Sequence, residues 1–192
     1  MLMSSHDLYQ NTGVYMSIDL QRHQHYIWEG HIDDEGVDAA LRKVVQHERS
    51  RPSHDLHIIL TTGGGSMSAA LAFYDTVKTI LKTPRLVFHA AGEVSSAGLI
   101  ILMAGDRRYA GPNIMFEFHD LRRRYERGVT ATAADLMRDA HEMQEMQKKM
   151  QEILVRHCEG KMTAEVFSNF CSRNYRLDLR EAVEYGLCKP ED

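Results

Sequence analysis

The sequence predicts an α/β fold, because short apolar runs alternate with helix-patterned segments over short connections. Residues 56–60, 85–90 and 114–118 read as strands, while 66–82 and 96–104 carry helical spacing between them. Glycines punctuate each strand-to-helix crossing, as Gly63-Gly64-Gly65 in the first case and Gly92 with Gly98 in the second. Helices that connect consecutive strands impose a mainly parallel sheet covered by those helices.

Along the chain, residues 1–13 are polar and unpatterned, which predicts a mobile N-terminal arm. A first helix is expected over 34–48, where Val37, Leu41, Val44 and Val45 share a face, ending in the polar, proline-containing stretch 49–54. The helix 66–82 places Ala70, Phe73, Tyr74, Val77 and Leu81 on one side. Gly92 is expected to break the second strand, and the turn Gly111-Pro112-Asn113 introduces the third. Thr132 and Asp135 form a capping signal for a long helix reaching His157. Leu136, Met143, Met150 and His157 recur along it at heptad spacing, with Ala140, Met146, Ile153 and Leu154 filling the seam. At ~1.5 Å per residue this helix approaches 40 Å, longer than a small domain needs, so its Met-rich stripe packs either on its own core or on another subunit. A short helix over 180–185 closes at Gly186.

Size and charge narrow the function. The 192 residues make a single domain, and 23 basic against 27 acidic side chains give a net charge of −4. A charged fraction of 26% excludes disorder. The longest apolar stretch, 97–104, falls far short of the ~20 residues that span a bilayer, and no leader pattern opens the chain, so a soluble, unsecreted protein with no membrane partner is expected. Three cysteines without a CxxC pair predict reduced structural thiols in the cytoplasm. Mild acidity argues against nucleic acid as a partner. The run Arg122, Arg123, Arg124 and Arg127, interrupted by Glu126, is expected to be a solvated or subunit-contacting edge.

The glycine loop 63–65 lacks both phosphate-loop spacings, GxxxxGK[ST] and GxGxxG. It suits either a tight turn or an array of exposed amides for an anion or oxyanion. Ser95 and Ser96 stand at a strand-to-helix turn, where a hydroxyl can cap the helix or serve as a nucleophile; the G-x-S-x-G pattern is absent. His119 ends an apolar strand, on the rim where α/β sites form, and with a nearby serine becomes a candidate base. His23 with His25, and His54 with His57, lack a third ligand at useful spacing, so no metal is expected.

Taken together, Thr62-Gly63-Gly64-Gly65-Ser66, Ala72-Phe73-Tyr74-Asp75-Thr76, Gly92-Glu93-Val94-Ser95-Ser96-Ala97-Gly98, Met115-Phe116-Glu117-Phe118-His119 and Glu181-Ala182-Val183-Glu184-Tyr185-Gly186-Leu187 resemble the proteolytic subunit of the ATP-dependent Clp protease, in order and register from about Tyr26 to Leu187. The resemblance implies the ClpP/crotonase fold over 1–192, a handle helix over 130–158, heptameric rings stacked as tetradecamers around a chamber, and cytoplasmic serine-peptidase chemistry on peptides or unfolded proteins without a cofactor. It also implies an ATP-dependent unfoldase as partner. Matched residue by residue, Ser96 is the nucleophile and His119 the general base. The amides of Gly65 and Ala97 form the oxyanion hole, and the loop at Ser66 and Met67 is the edge that receives an extended substrate.

The family's catalytic aspartate falls on Asn174, and the acidic residue two places earlier is Ser172. Gly63 stands where the family has proline, Asp120-Leu121 replaces Gln-Pro, and the positions of the unfoldase-docking aromatics hold His57 and Ile59. An amide orients an imidazole but supplies no charge; in Ser-His-Asp enzymes the Asp-to-Asn change costs about 10⁴ in turnover. Asp120 is a poor substitute because its side chain points to the opposite strand face, and Asp178 reaches the histidine only along a different loop path. The expected activity is a Clp-type serine endopeptidase with a Ser-His-Asn triad. The alternatives are a weakly active or inactive ring subunit paired with an active paralogue, and a crotonase-like enzyme acting on acyl-CoA.

Overall fold

The computed structural model describes residues 24–50, 54–81, 85–123, 125, 128 and 130–191; the predicted arm over 1–13, together with Arg124 and Arg127 of the basic run, lies outside them. Strands β1 (Gln24–Glu29), β2 (Leu56–Thr62), β3 (Leu86–Ser95), β4 (Arg107–Ala110) and β7 (Lys189–Pro190) lie side by side in that order, all parallel. A second branch leaves β3: β5 (Met115–Glu117) pairs with its end, and β6 (Arg176–Leu177) runs antiparallel to β5. Helices α1 (Asp34–Arg49), α2 (Met67–Asp75), α3 (Ala97–Met103), α4 (Ala133–His157), α5 (Ala164–Ser172) and α6 (Leu179–Glu184) complete the described elements. The α/β class and mainly parallel sheet match the expectation.

Three local expectations change. Gly92 does not end the second strand. It adopts φ 67° inside β3, where two extra residues enter between the pairs Leu60–Ala90 and Thr62–Val94. The glycine thus makes a bulge, and β3 exchanges β4 for β5 as its neighbour across it. The helix expected over 66–82 is α-helical only to Asp75 and continues as a π-helical turn, Thr76–Leu81, where the Thr79 hydroxyl bonds the Asp75 carbonyl and β-branched residues crowd the backbone. Strands β1, β4, β6 and β7 and helix α5 go beyond the sequence expectation, because the strands are short or mixed in polarity and owe their order to neighbouring ladders.

The core lies between the sheet and helices α1 to α3, with Phe73, Phe88, Ile58, Leu60 and all of α3 buried. Helix α4 starts with the expected Thr132–Asp135 capping box. Its stripe divides: Met150, Ile153 and Leu154 are buried against the subunit's own core, whereas Leu136 and Met137 are exposed.

The ends of α3, α4 and α6 meet around Arg108. Its guanidinium donates to the carbonyls of Leu187 at 2.8 Å, His157 at 3.0 Å, Gly105 at 3.3 Å and Gly186 at 3.5 Å. A cation there complements three negative helix ends. Burial pushes the Arg108 guanidinium below its ordinary value, and it also shapes its neighbour His157. Burial first, then the cations Arg108, Lys78 and Arg156, lower His157 to about 4, against a smaller raising effect of Asp106. Its Nε2 and the Tyr74 hydroxyl share a hydrogen bond of 2.7 Å. The unfolded chain takes up a proton near pH 6.5 that the folded chain refuses until about 4, so stability falls as pH drops through this window and levels off below it. Solvent screening of the half-buried ring reduces the effect to about 1–2 kcal/mol. Urea unfolding at pH 7 and 4.5 should show this loss in the native protein and a smaller one in His157→Gln. The three described cysteines are buried, which pushes Cys158 up to about 11 and Cys171 and Cys188 to about 12, so they stay protonated.

Candidate active site

The bulge in β3 assembles the rim on which the candidate residues stand. Ser95 pairs with Glu117 of β5, so the chain turns into α3 at Ser96, beside the end of β5. Ser96 has φ 54° and ψ −124°, a conformation costly for a residue with a Cβ, and its amide donates to the Glu117 carbonyl at 3.1 Å. Its hydroxyl makes no capping bond to α3, while the Ser95 hydroxyl donates to the Glu93 carboxylate at 2.7 Å. The two serines therefore differ: Ser95 is tied back along its strand, and Ser96, the one the resemblance selects, stands at the strained turn. The geometry is that of an elbow without its sequence motif. Gly98 supplies the close approach, since a Cβ there would lie 2.5 Å from the Thr62 methyl.

The glycine loop packs directly on this serine. A Cβ on Gly64, at φ 97°, would lie 2.7 Å from the Ser96 Cβ and 3.3 Å from its Oγ. Gly65 rests against Ile32, whose amide donates to the Gly64 carbonyl at 2.9 Å and whose carbonyl accepts the Ser66 amide at 2.7 Å. Neither the Gly65 nor the Ala97 amide donates a backbone hydrogen bond among the described residues. Ala97 opens α3, where the first amides lack intrahelical partners. Ser66 caps α2 by accepting the Ala69 amide at 3.2 Å, and Met67 is buried.

His119 follows β5, and its Nδ1–H donates to the Asp120 carbonyl at 2.8 Å. A carbonyl only accepts, so the proton sits on Nδ1 and a neutral ring leaves Nε2 as the base. The antiparallel pair leads back toward Asn174: Glu117 faces Arg176, and the Phe118 amide donates to the Tyr175 carbonyl at 2.9 Å, so His119 and Asn174 each adjoin that last bond. The Asn174 side chain nevertheless accepts from the Arg122 guanidinium at 2.7 Å instead of from His119. Among the described residues, Ser96, His119 and Asn174 share no hydrogen bond with one another.

Arg122 and the Asp120 carbonyl are thus site neighbours that sequence reasoning missed. The arginine run is exposed in its described part, as a solvated edge should be, and is also bonded within the subunit: Arg122 faces Asn174, and Arg123 pairs with Asp139 and Glu142 of α4. The Asp120 carboxylate accepts from Gln147, and Asp178 caps α6, so both carboxylates are otherwise engaged. His57 Nδ1 lies 2.9 Å from His89 Nε2, and His89 bonds Glu191 at 2.8 Å; the His54 ring lies tilted against His47, with centroids 5.5 Å apart. No group able to hold a metal is found among the described residues.

A mainly parallel α/β sheet that carries a strained serine, a glycine amide loop and a histidine at the ends of neighbouring strands has the parts that acyl transfer uses. The particular family follows from comparison: the family model for Clp protease matches residues 10–190. The chain belongs to the Clp protease family, whose members are peptidases. It is 30% identical over 168 residues to the ATP-dependent Clp protease proteolytic subunit of Dehalococcoides mccartyi strain CBDB1, covering 84% of this chain and 80% of the relative. It is 29% identical over 161 residues to the ATP-dependent Clp protease proteolytic subunit 1 of Rhodopirellula baltica, covering 83% of this chain and 67% of the relative.

Proposed function

We propose that the chain is a self-compartmentalising serine peptidase of the Clp type. The observation that carries this is the turn at Ser96, φ 54°, held under the Gly64 loop with a hydroxyl not used for capping. His119 Nε2 takes the Oγ proton as Oγ adds to the scissile carbonyl, and the Gly65 and Ala97 amides hold the resulting oxyanion. The proton passes to the leaving amine, and water then releases the acyl group by the same steps in reverse. Ser66 and Met67 border the edge that receives an extended peptide, and Asn174, uncharged and bonded to Arg122, stands at the sequence position of the third triad member.

The names of the relatives support a role for this chain beside an ATP-driven partner, and the exposed Leu136 and Met137 on α4 support assembly into stacked heptameric rings. Light scattering should give a heptamer or tetradecamer, and Leu136→Glu with Met137→Glu should split the stack, since a buried unpaired carboxylate costs several kcal/mol. Met150 is no test of this interface, being buried within the subunit.

The chemistry is tested by a fluorophosphonate probe with mapping of the modified residue. Ser96 alone should be labelled; labelling of Ser95 would overturn the site. A second reading, a ring subunit of weak or lost activity, is favoured by the engagement of Asn174 with Arg122 and predicts no labelling.

A further inference from the structure

The bond from the Phe118 amide to the Tyr175 carbonyl leaves His119 and Asn174 on either side of the end of the β5–β6 pair, yet the Asn174 side chain is turned to Arg122. The cause lies in how residues 120–123 are held. The Leu121 amide donates to Gln147 of α4 at 3.1 Å, Gln147 donates to the Asp120 carboxylate at 3.4 Å, and Arg123 is paired with Asp139 and Glu142 on the same helix. Pinned to α4 on one side, the segment presents Arg122 on the other, toward the end of α5. There Asn174, at φ 49°, is fixed by its amide on the Cys171 carbonyl at 3.1 Å. Glu117 and Arg176, which face each other in the β5–β6 pair, are also joined by an ion pair at 2.7 Å.

We infer that Arg122 is a positioning residue that holds Asn174 away from His119, so that the Asp120 carbonyl, instead of the third triad member, orients the imidazole. The inference rests on the peptidase reading above. A neutral amide forms a weaker bond to a guanidinium than a carboxylate does, so the Arg122 hold on Asn174 is exchangeable. The corollary runs against intuition. Restoring the carboxylate with Asn174→Asp strengthens the hold on Arg122, and the carboxylate reaches the histidine only once Arg122 is removed.

The test uses full-length wild type, Arg122→Ala, Asn174→Asp, the double variant, and Arg122→Lys combined with Asn174→Asp. Melting temperature and steady-state cleavage of a fluorogenic peptide are measured on each. Asn174→Asp should raise the melting temperature by about 1–3 °C when Arg122 is present and not when it is alanine. The double variant should gain at least tenfold in kcat with KM unchanged, against a ceiling of roughly 10⁴, while Asn174→Asp alone gains little. Lysine at 122 keeps the charge and should return kcat toward the low value. Equal thermal effects of Asn174→Asp with and without Arg122, or equal kcat in the single and double variants, would overturn the inference. If no variant cleaves peptide or reacts with the fluorophosphonate, the peptidase reading fails, and the thermal coupling still decides whether Arg122 holds residue 174.

Discussion

Replacing Ser96 with alanine is expected to lower peptide turnover by roughly 10³-fold or more while leaving the fold and assembly intact. A hydroxyl attacked by no base is inert, and no neighbouring group replaces it, because Ser95 is committed to Glu93. Stability should change little, since Ser96 contributes no capping bond to α3. Ser96→Gly separates the two contributions further: glycine accepts φ 54° without strain, so this variant should melt higher than wild type, by an amount reflecting about 1 kcal/mol or more, and be equally inactive. Ser95→Ala should retain most of the activity. Full turnover in Ser96→Ala would remove the proposed nucleophile.

Gly65→Ala is expected to cost more than about 4 kcal/mol and to prevent recovery of folded protein, given total stabilities of roughly 5–15 kcal/mol. Its Cβ would lie 2.1 Å from the Ile32 carbonyl oxygen and 2.7 Å from the Ile32 nitrogen, which are backbone atoms with nowhere to go. Relief would break the two hydrogen bonds, Ile32 to Gly64 and Ser66 to Ile32, that shape the loop. Gly63→Ala is the control. No atom lies within 4 Å of a Cβ there, and a small gain from reduced unfolded-state entropy is expected. Denaturant unfolding of both variants checks the contrast; similar behaviour would mean the loop is not clamped to Ile32.

The amino-acid sequence by itself determined the α/β class, helices α1, α3 and α4 with the Thr132–Asp135 cap, and the short helix ending at Gly186. It also offered the serine, the glycine loop and the histidine as the candidate set. These features are local: apolar periodicity, caps and glycine placement act within a turn or a strand, so they are written in neighbouring residues. Only the tertiary structure decided that Gly92 bulges β3 instead of ending it, because a bulge is defined by the partner strand that fails to match it. The same holds for the different bonding of the two serines, Ser95 to Glu93 and Ser96 packed under Gly64, and for the division of the α4 stripe between core and surface. The meeting of Arg122 with Asn174 spans 52 positions of chain. Neither residue carries a local signal for the other; strand register brings one to the rim and helix α4 holds the other against it, and both are properties of packing.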